Sequence, residues 1–421
     1  MNTGKFLLTF MLLLATSCRL PDSGFGSIEG RITIAGSGEP VAGSYVVYGD
    51  SAVYTDEEGY FLYENVPEGL QGFFFKADGY DSKMLQVNIP RGGKASCEVT
   101  LDLITTGWAV GKQDTDYGTI LRTTDKGANW LRQGTSAMIP GVTLTGVCAV
   151  DASSCWVSGE ADTLYGRSVI LLTTDGGSTW SNCGRSISAE GPVSFSDIAA
   201  TDRDTAYAAA ADTGLIYKTT NGGSSWQVCY ESASCSGYSA ISTYDGLHIW
   251  CCGESPEGGW TAEFSPDGGR TWHTVRTQGD GTANGIYALD DAVFIAGTGG
   301  IFHSADNGST WRFIELDGGG AINSIYAFDS DLIWAAAGNG RILYTEDTFA
   351  SFDNTAGSGY SDRNFYSVSM LRDGLNGAAA ALSATGETGV IIHTADGGRT
   401  WTESGIPTQF AITEIDFAGG S

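Results

Sequence analysis

One eight-residue phrase recurs along the chain. TTDKGANW, ending at Trp130, returns as TTDGGSTW (173–180), TTNGGSSW (219–226), SPDGGRTW (265–272), SADNGSTW (304–311) and TADGGRTW (394–401), with a worn copy, TEDTFASF, at 345–352. The seven copies stand 39 to 50 residues apart at their Asp or Asn position. Self-similarity at such a period marks a propeller or solenoid, in which each repeat buries its apolar faces against its neighbours. Each unit divides into four strand-length runs. Strand A is a run such as LTGVCAVD, strand B one such as GWAVG or IWAAAG, and strand C one such as GRILYT; the box turns strand C into strand D. In strand C an aliphatic residue always stands three positions before the Ser or Thr that opens the box. Ile120, Ile170, Ile216, Ala262, Ile301, Ile342 and Ile391 hold that place, and the period of two turns it toward the core. The sequence therefore predicts an all-β chain whose residues 104–421 form a seven-bladed β-propeller of four-stranded blades. The first unit opens directly on strand B at Gly107, whereas the chain ends in FAITEIDFAG (410–419), an A-like strand with nothing after it. That last strand is expected to complete the first blade and remove an exposed edge.

The box residues have chemistry of their own, and it is structural. A carboxylate or amide oxygen accepts hydrogen bonds from turn N–H groups, glycine supplies positive φ, and the tryptophan packs back over the blade. Asp125, Asp175, Asn221, Asp267, Asp306, Asp347 and Asp396 are therefore read as turn-forming and not catalytic. These phrases resemble the Asp-box, or BNR, repeat of sialidases and other propellers, which implies a box at the periphery, away from the ligand face. His303 and His393 share their register with Arg122, Leu172, Lys218, Phe264 and Tyr344, so they read as interchangeable strand residues. No HExxH, GxSxG, P-loop or CxxC string occurs, and neither a metal nor a cofactor is expected.

Ahead of the repeats, Lys5 precedes the apolar run FLLTFMLLL (6–14), too short for a bilayer span and suited to an export signal over residues 1–17. Ala15-Thr16-Ser17-Cys18 then resembles a bacterial lipobox. That resemblance implies lipidation of Cys18, a brief tether over 18–26 and an envelope protein held on the outer membrane by its lipid alone. Residues 27–103 change to short alternating strands separated by turn clusters such as TDEEG and PEG. Their phrases Gly30-Arg31-Ile32, Thr55-Asp56-Glu57-Glu58-Gly59-Tyr60-Phe61 and Ala77-Asp78-Gly79-Tyr80 resemble the carboxypeptidase regulatory-like domain. The resemblance implies a small transthyretin-like β-sandwich that serves as a spacer.

Charge and cysteines narrow the partners. With 49 acidic and 22 basic residues the net charge is -27, which repels a phosphate backbone and excludes nucleic acid. Apart from Cys18 there are eight cysteines, an even count that in an exported chain favours disulfides; Cys148–Cys155 and Cys229–Cys235 are the expected local pairs, with buried thiols as the alternative.

Function is sought in the loops that depart from the repeat, above all those joining strand B to strand C. They carry Asp114, Asp116 and Tyr117 in blade one, Glu160, Asp162 and Tyr165 in blade two, and Glu254, Glu257 and Trp260 in blade four. Trp260 is the one tryptophan outside a repeat slot. Two readings of it stand: with Tyr117 and Tyr165 it forms an aromatic platform for a sugar or peptide, the carboxylates serving as polar partners, or it packs on its neighbouring blade. From Gly107 onward, GWAVG…GTILRTTDKGANW resembles the photosystem II stability and assembly factor-like repeats, which implies a non-catalytic propeller that binds a partner protein. The expectation is a monomeric envelope lipoprotein that binds a protein or a glycan. The alternative is a glycoside hydrolase working with two loop carboxylates, such as Asp114 or Asp116 with Glu160 or Glu254. A typical sialidase is disfavoured, because the only string near its arginine motif is Ile89-Pro90-Arg91, in the wrong order and the wrong domain.

Overall fold

The computed structural model describes residues 24–41, 43–49, 51–77, 79–112, 118–133, 141–187, 191–275, 281–316, 320–383, 389–406 and 411–419. The chain divides into two compact units, Met1–Ala77 with Ser82–Asp102, and Asp78–Asp81 with Leu103–Ser421.

The first unit is a seven-stranded sandwich. Strands β1 (Phe25–Ile34), β4 (Tyr60–Pro67) and β7 (Lys94–Leu101) form one sheet in the order β4-β1-β7; β2 (Tyr45–Tyr48), β3 (Ser51–Tyr54), β5 (Gly69–Lys76) and β6 (Lys83–Ile89) form the other in the order β3-β2-β5-β6. Alternation sends Ile28, Ile32, Val46, Phe61, Phe73, Phe75 and Val99 into the layer between the sheets. There Phe61 meets Phe75 edge-on with ring centroids 5.7 Å apart. Gly30 is required where β1 crosses β7, since a Cβ there would lie 2.0 Å from the Cys97 carbonyl oxygen.

The second unit is a ring of seven four-stranded antiparallel sheets. In blade one the C-terminal strand Ile412–Phe417 pairs with Gly107–Gly111, followed outward by Thr119–Thr123 and Leu131–Arg132. The last strand of the chain thus closes the ring, as the sequence predicts. The other A strands are Leu144–Ala149, Phe195–Ala200, Gly237–Thr243, Ala283–Ala288, Ile322–Ala327 and Arg363–Met370. Each B strand lies between two inter-blade cores and is buried on both faces, which is why it reads as an unbroken apolar run. Trp108 and Val110 enter the core between blades one and two, and Ala109 the core between blades one and seven. All seven strand C positions named from the sequence are fully buried.

Every box turn is built alike. The Asp or Asn Oδ1 accepts the backbone N–H four residues on at 2.7–3.0 Å. The Ser or Thr two residues earlier donates its hydroxyl to the same oxygen. That hydroxyl in turn accepts the N–H at the glycine position. In six copies the second Oδ is also engaged by the residue four on, so the box carboxylate is used up by its own turn.

The glycine position also holds the blades together. At five of the six box glycines it presses on a strand B ring of the preceding blade, so that a Cβ at Gly177 would lie 2.8 Å from Trp108, one at Gly308 2.5 Å from Trp250, and one at Gly398 2.4 Å from Trp334. The box tryptophan then meets that ring edge-on, as in Trp108–Trp180, Trp156–Trp226 and Trp250–Trp311. In the worn copy Phe349 takes the glycine place at φ +60 and its own ring contacts Phe294, where the preceding blade has no tryptophan to fill the space.

The cysteines depart from expectation. No disulfide joins any of the eight among the described residues. Cys148 stands opposite Trp156 in the ladder, which turns Cys148 and Cys155 to opposite faces of the sheet and into different cores. Cys229 and Cys235 border the same core without being joined.

Candidate functional site

Because each blade is a simple meander, the A–B and C–D turns lie at one end of the propeller and the B–C and D–A connections at the other. The boxes occupy the first end. The irregular loops therefore share the second, around the mouth of the axial channel.

The channel wall consists of the seven A strands, which enclose a cavity of about 400 Å³. An A strand at the centre of a propeller has an unpaired edge, and each blade covers the edge of the next with a side chain. Glu414 and Asp416 accept the Val147 and Ala149 N–H groups of blade two, each at 2.8 Å. Thr145 donates to the Phe195 carbonyl of blade three at 2.7 Å, and Asp197 accepts the Ile241 N–H of blade four at 2.9 Å. Ser242 accepts the Ala288 N–H of blade five at 3.1 Å. Asn284 and Asn323 donate to the Ile322 and Phe365 carbonyls of blades six and seven at 2.9 and 2.7 Å. Ser367 and Ser369 return to blade one, accepting the Ile415 and Phe417 N–H groups at 3.1 and 3.2 Å. The belt closes on itself. It depends on a bulge at the same point of every A strand, at Thr413, Thr145, Ser196, Ser239, Asn284, Asn323 and Tyr366, which re-aims the residues beside it.

Three of these belt residues are acids, and they stand on one side. Gly146 leaves room between blades one and three, since a Cβ there would lie 3.0 Å from Asp197 Oδ1. Protein surrounds the carboxyls although they line a cavity, and the desolvation disfavours charge. Burial pushes Asp416 up to about 7 and Asp197 up to about 6. Glu414 is pushed well above the carboxylate range by burial and then by the neighbouring Asp197 and Asp416. The sequence reading missed this trio. Its only trace was acidic residues inside FSDIAA and ITEIDF: where Asp197 and Glu414 stand the other A strands carry glycine, alanine or serine, and where Asp416 stands none of the others carries an acid.

At the rim, Asp114, Asp116 and Tyr117 lie outside the described residues. Blade two has a well-formed loop. Asp162 is 98 % buried at the end of strand B, and its Oδ1 accepts the Tyr165 N–H at 3.1 Å. With Gly166 at φ +63 this fixes a turn whose tip, Leu164 and Tyr165, is 77 % and 57 % exposed. Arg167 packs on the Tyr165 ring at 5.0 Å, and Glu160 is exposed beside the turn. Asp162 is thus a positioning residue. In blade four Glu254 and Glu257 are exposed. Trp260 is not at the surface: it opens strand C opposite Glu254, is 5 % exposed, and packs against Phe302 of blade five with ring centroids 4.6 Å apart. Of the two readings of this ring, the structure has the one that packs it on the neighbouring blade, so it is lost to the platform. Blade three separates the two loops, so Tyr165 and Trp260 are not neighbours.

Among the described residues no group of three or more His, Cys, Asp or Glu is arranged to hold a metal. His303 stacks on Phe294 at 4.7 Å and His248 lies 2.7 Å from Asp245, both within the blade framework.

No curated protein matches the chain. Among solved structures, YCF48 bound to D1 peptide is similar to it with a TM-score of 0.55 and 18 % identity, over 70 % of this chain and 90 % of that one. YCF48 from Cyanidioschyzon merolae gives 0.49 and 18 %, over 72 % and 92 %. The WD40 repeats of RRP9 give 0.52 and 11 %, over 68 % and 86 %. Identities this low speak to the fold alone. The family described as Photosynthesis system II assembly factor YCF48 matches residues 82–384. As that match spans well over half of its length, the chain belongs to this YCF48 family.

Proposed function

We propose that the chain is a bacterial envelope lipoprotein, anchored through Cys18, whose propeller binds a polypeptide partner across the end of the blades opposite the boxes, without chemistry of its own. The observation that carries this reading is the braced loop of blade two, in which a buried Asp162 holds Leu164 and Tyr165 out into solvent beside Glu160. An apolar pair held on a rigid turn and flanked by carboxylates suits a peptide that brings one apolar and one basic side chain. Glu254 and Glu257 extend the acidic rim two blades away. The YCF48 structure that carries a D1 peptide supports the choice of a polypeptide.

The test is a peptide array and a glycan array probed with the unlipidated protein, beside a Leu164→Ser, Tyr165→Ser variant and a chromogenic glycosidase panel. Capture of basic, apolar peptides that the variant loses is the expected result. Glycan capture retained by the variant, or turnover in the panel, would overturn it; turnover would favour the glycoside hydrolase alternative.

A further inference from the structure

The two outer faces of the sandwich differ in kind. On β4-β1-β7 the outward residues include Glu29, Arg31, Lys94 and Glu98, and Lys94 pairs with Glu29 at 2.8 Å. The four strands of the other sheet contain no Asp or Glu at all and two lysines, Lys76 and Lys83, in a chain with 49 acidic residues. The register places Tyr54, Tyr45 and Lys76 in one row across its outer face, and Val47, Phe74 and Met84 in the next. Tyr54, Phe74 and Met84 are 69 %, 48 % and 52 % exposed. A soluble surface seldom leaves such a contiguous apolar patch without an occupant.

We infer that this face rests on an anionic lipid bilayer, with Tyr54, Phe74 and Met84 entering the headgroup region and Lys76 meeting the lipid phosphates. Three features select a bilayer. The face lacks acidic groups where the rest of the chain is acidic, so it is the part of the surface that an anionic membrane does not repel. Its composition of tyrosine, phenylalanine, methionine and lysine suits the boundary between acyl chains and headgroups. Third, and resting on the lipoprotein reading above, only five residues, 19–23, separate Cys18 from the first described residue of the sandwich, Gly24. The six steps from Cys18 to Gly24 reach at most about 20 Å when fully extended. A lipid at Cys18 therefore keeps the sandwich within reach of the surface, and the face needs only weak affinity of its own.

The experiment is co-flotation of residues 18–421 carrying Cys18→Ser, hence without export signal or lipid, with vesicles of phosphatidylglycerol and phosphatidylethanolamine. It is compared with a Tyr54→Ser, Phe74→Ser, Met84→Ser version and a control on the opposite face, Tyr60→Ser, Leu62→Ser. Unfolding temperatures verify that both variants fold. At least a tenfold loss of partitioning in the triple variant, with the control unchanged, is expected. Equal flotation of all three, no flotation of the parent, or a dimer in solution that only the triple variant dissolves would overturn the inference. Palmitate labelling of the native chain reads the anchor separately. An unlabelled Cys18 would remove the lipoprotein reading while leaving the flotation result to stand or fall by itself.

Discussion

The box turns and the channel belt perform the same mechanical task, tying each blade to the next, and they do so in opposite ways. At the boxes the task recurs with the same residues: a hydroxyl, a carboxylate or amide, a glycine under a ring and an aromatic beside it. In the belt the task recurs with different ones, carboxylates at Glu414, Asp416 and Asp197, hydroxyls at Thr145, Ser242, Ser367 and Ser369, amides at Asn284 and Asn323. The box is stereochemically exacting, because a left-handed backbone residue must pass in close contact with its neighbours, in four copies an indole of the preceding blade. An unpaired N–H or carbonyl on an A strand accepts any partner of suitable reach, so the belt is free to vary. Variation within a fixed framework is also where this propeller differs from blade to blade and can be specific.

Breaking the ring itself should have the largest effect. Removing residues 411–421 deletes the strand that closes blade one and exposes the cores that Ile412, Ile415 and Phe417 fill. At about 1.5–3 kcal/mol for each buried side chain the loss rivals the stability of a typical domain. Calorimetry should show the cooperative propeller transition gone.

Glycine substitutions separate contact from conformation at the boxes. Gly308→Ala combines positive φ with a clash against Trp250 at 2.5 Å, whereas Gly299→Ala has similar φ and nothing within 4 Å. The first should cost roughly 2–4 kcal/mol and the second about 1 kcal/mol. Denaturant titrations that give the two equal costs would show that the ring contact contributes nothing.

The belt should be distinguished by pH. Burial raises the folded-state Asp416 carboxyl to about 7, above its ordinary value near 3.9, so between roughly pH 4 and 7 the folded chain holds more protons than the unfolded one. Stability therefore falls as pH rises through that window, by up to about 1.4 kcal/mol per unit for the group. Asp416→Asn keeps an acceptor for the Ala149 N–H and should flatten that part of the profile. The box acid Asp125 has the opposite sign: burial alone would raise its carboxyl, but the hydrogen bonds from Asn129 and Thr123 outweigh it and hold it below the usual range. Its contribution is present above the ordinary carboxylate value and lost as pH falls through the lowered one, which Asp125→Asn should remove.

Smallest in stability is the pair Leu164→Ser, Tyr165→Ser, expected within about 0.5 kcal/mol because both side chains are solvent-exposed. Its effect should appear only in partner binding.

The contrast also explains what could be read beforehand. Blade number, the strand C core positions and ring closure were legible because a repeated residue at a fixed spacing reports a repeated environment. Trp260 was open to two readings for the same reason. Lying outside the repeat, it read as a loop residue, although ESPEGG is a short turn and the ring falls at the start of strand C, against Phe302. The belt was not legible, because a bulge shifts the A strand register by one residue and a single sequence gives no sign of which side chain it re-aims. Cys148 and Cys155 illustrate a parity effect: seven residues apart around a turn they look ready to pair, yet the ladder turns them to opposite faces.

The most direct measurement is hydrogen exchange of the propeller with and without a peptide captured on the array. Protection should appear in the loops around residues 160–168 and 254–260 and at the start of the A strands, with the box turns unchanged. Protection confined to the box turns, or spread evenly over both ends of the blades, would contradict a binding face opposite the boxes.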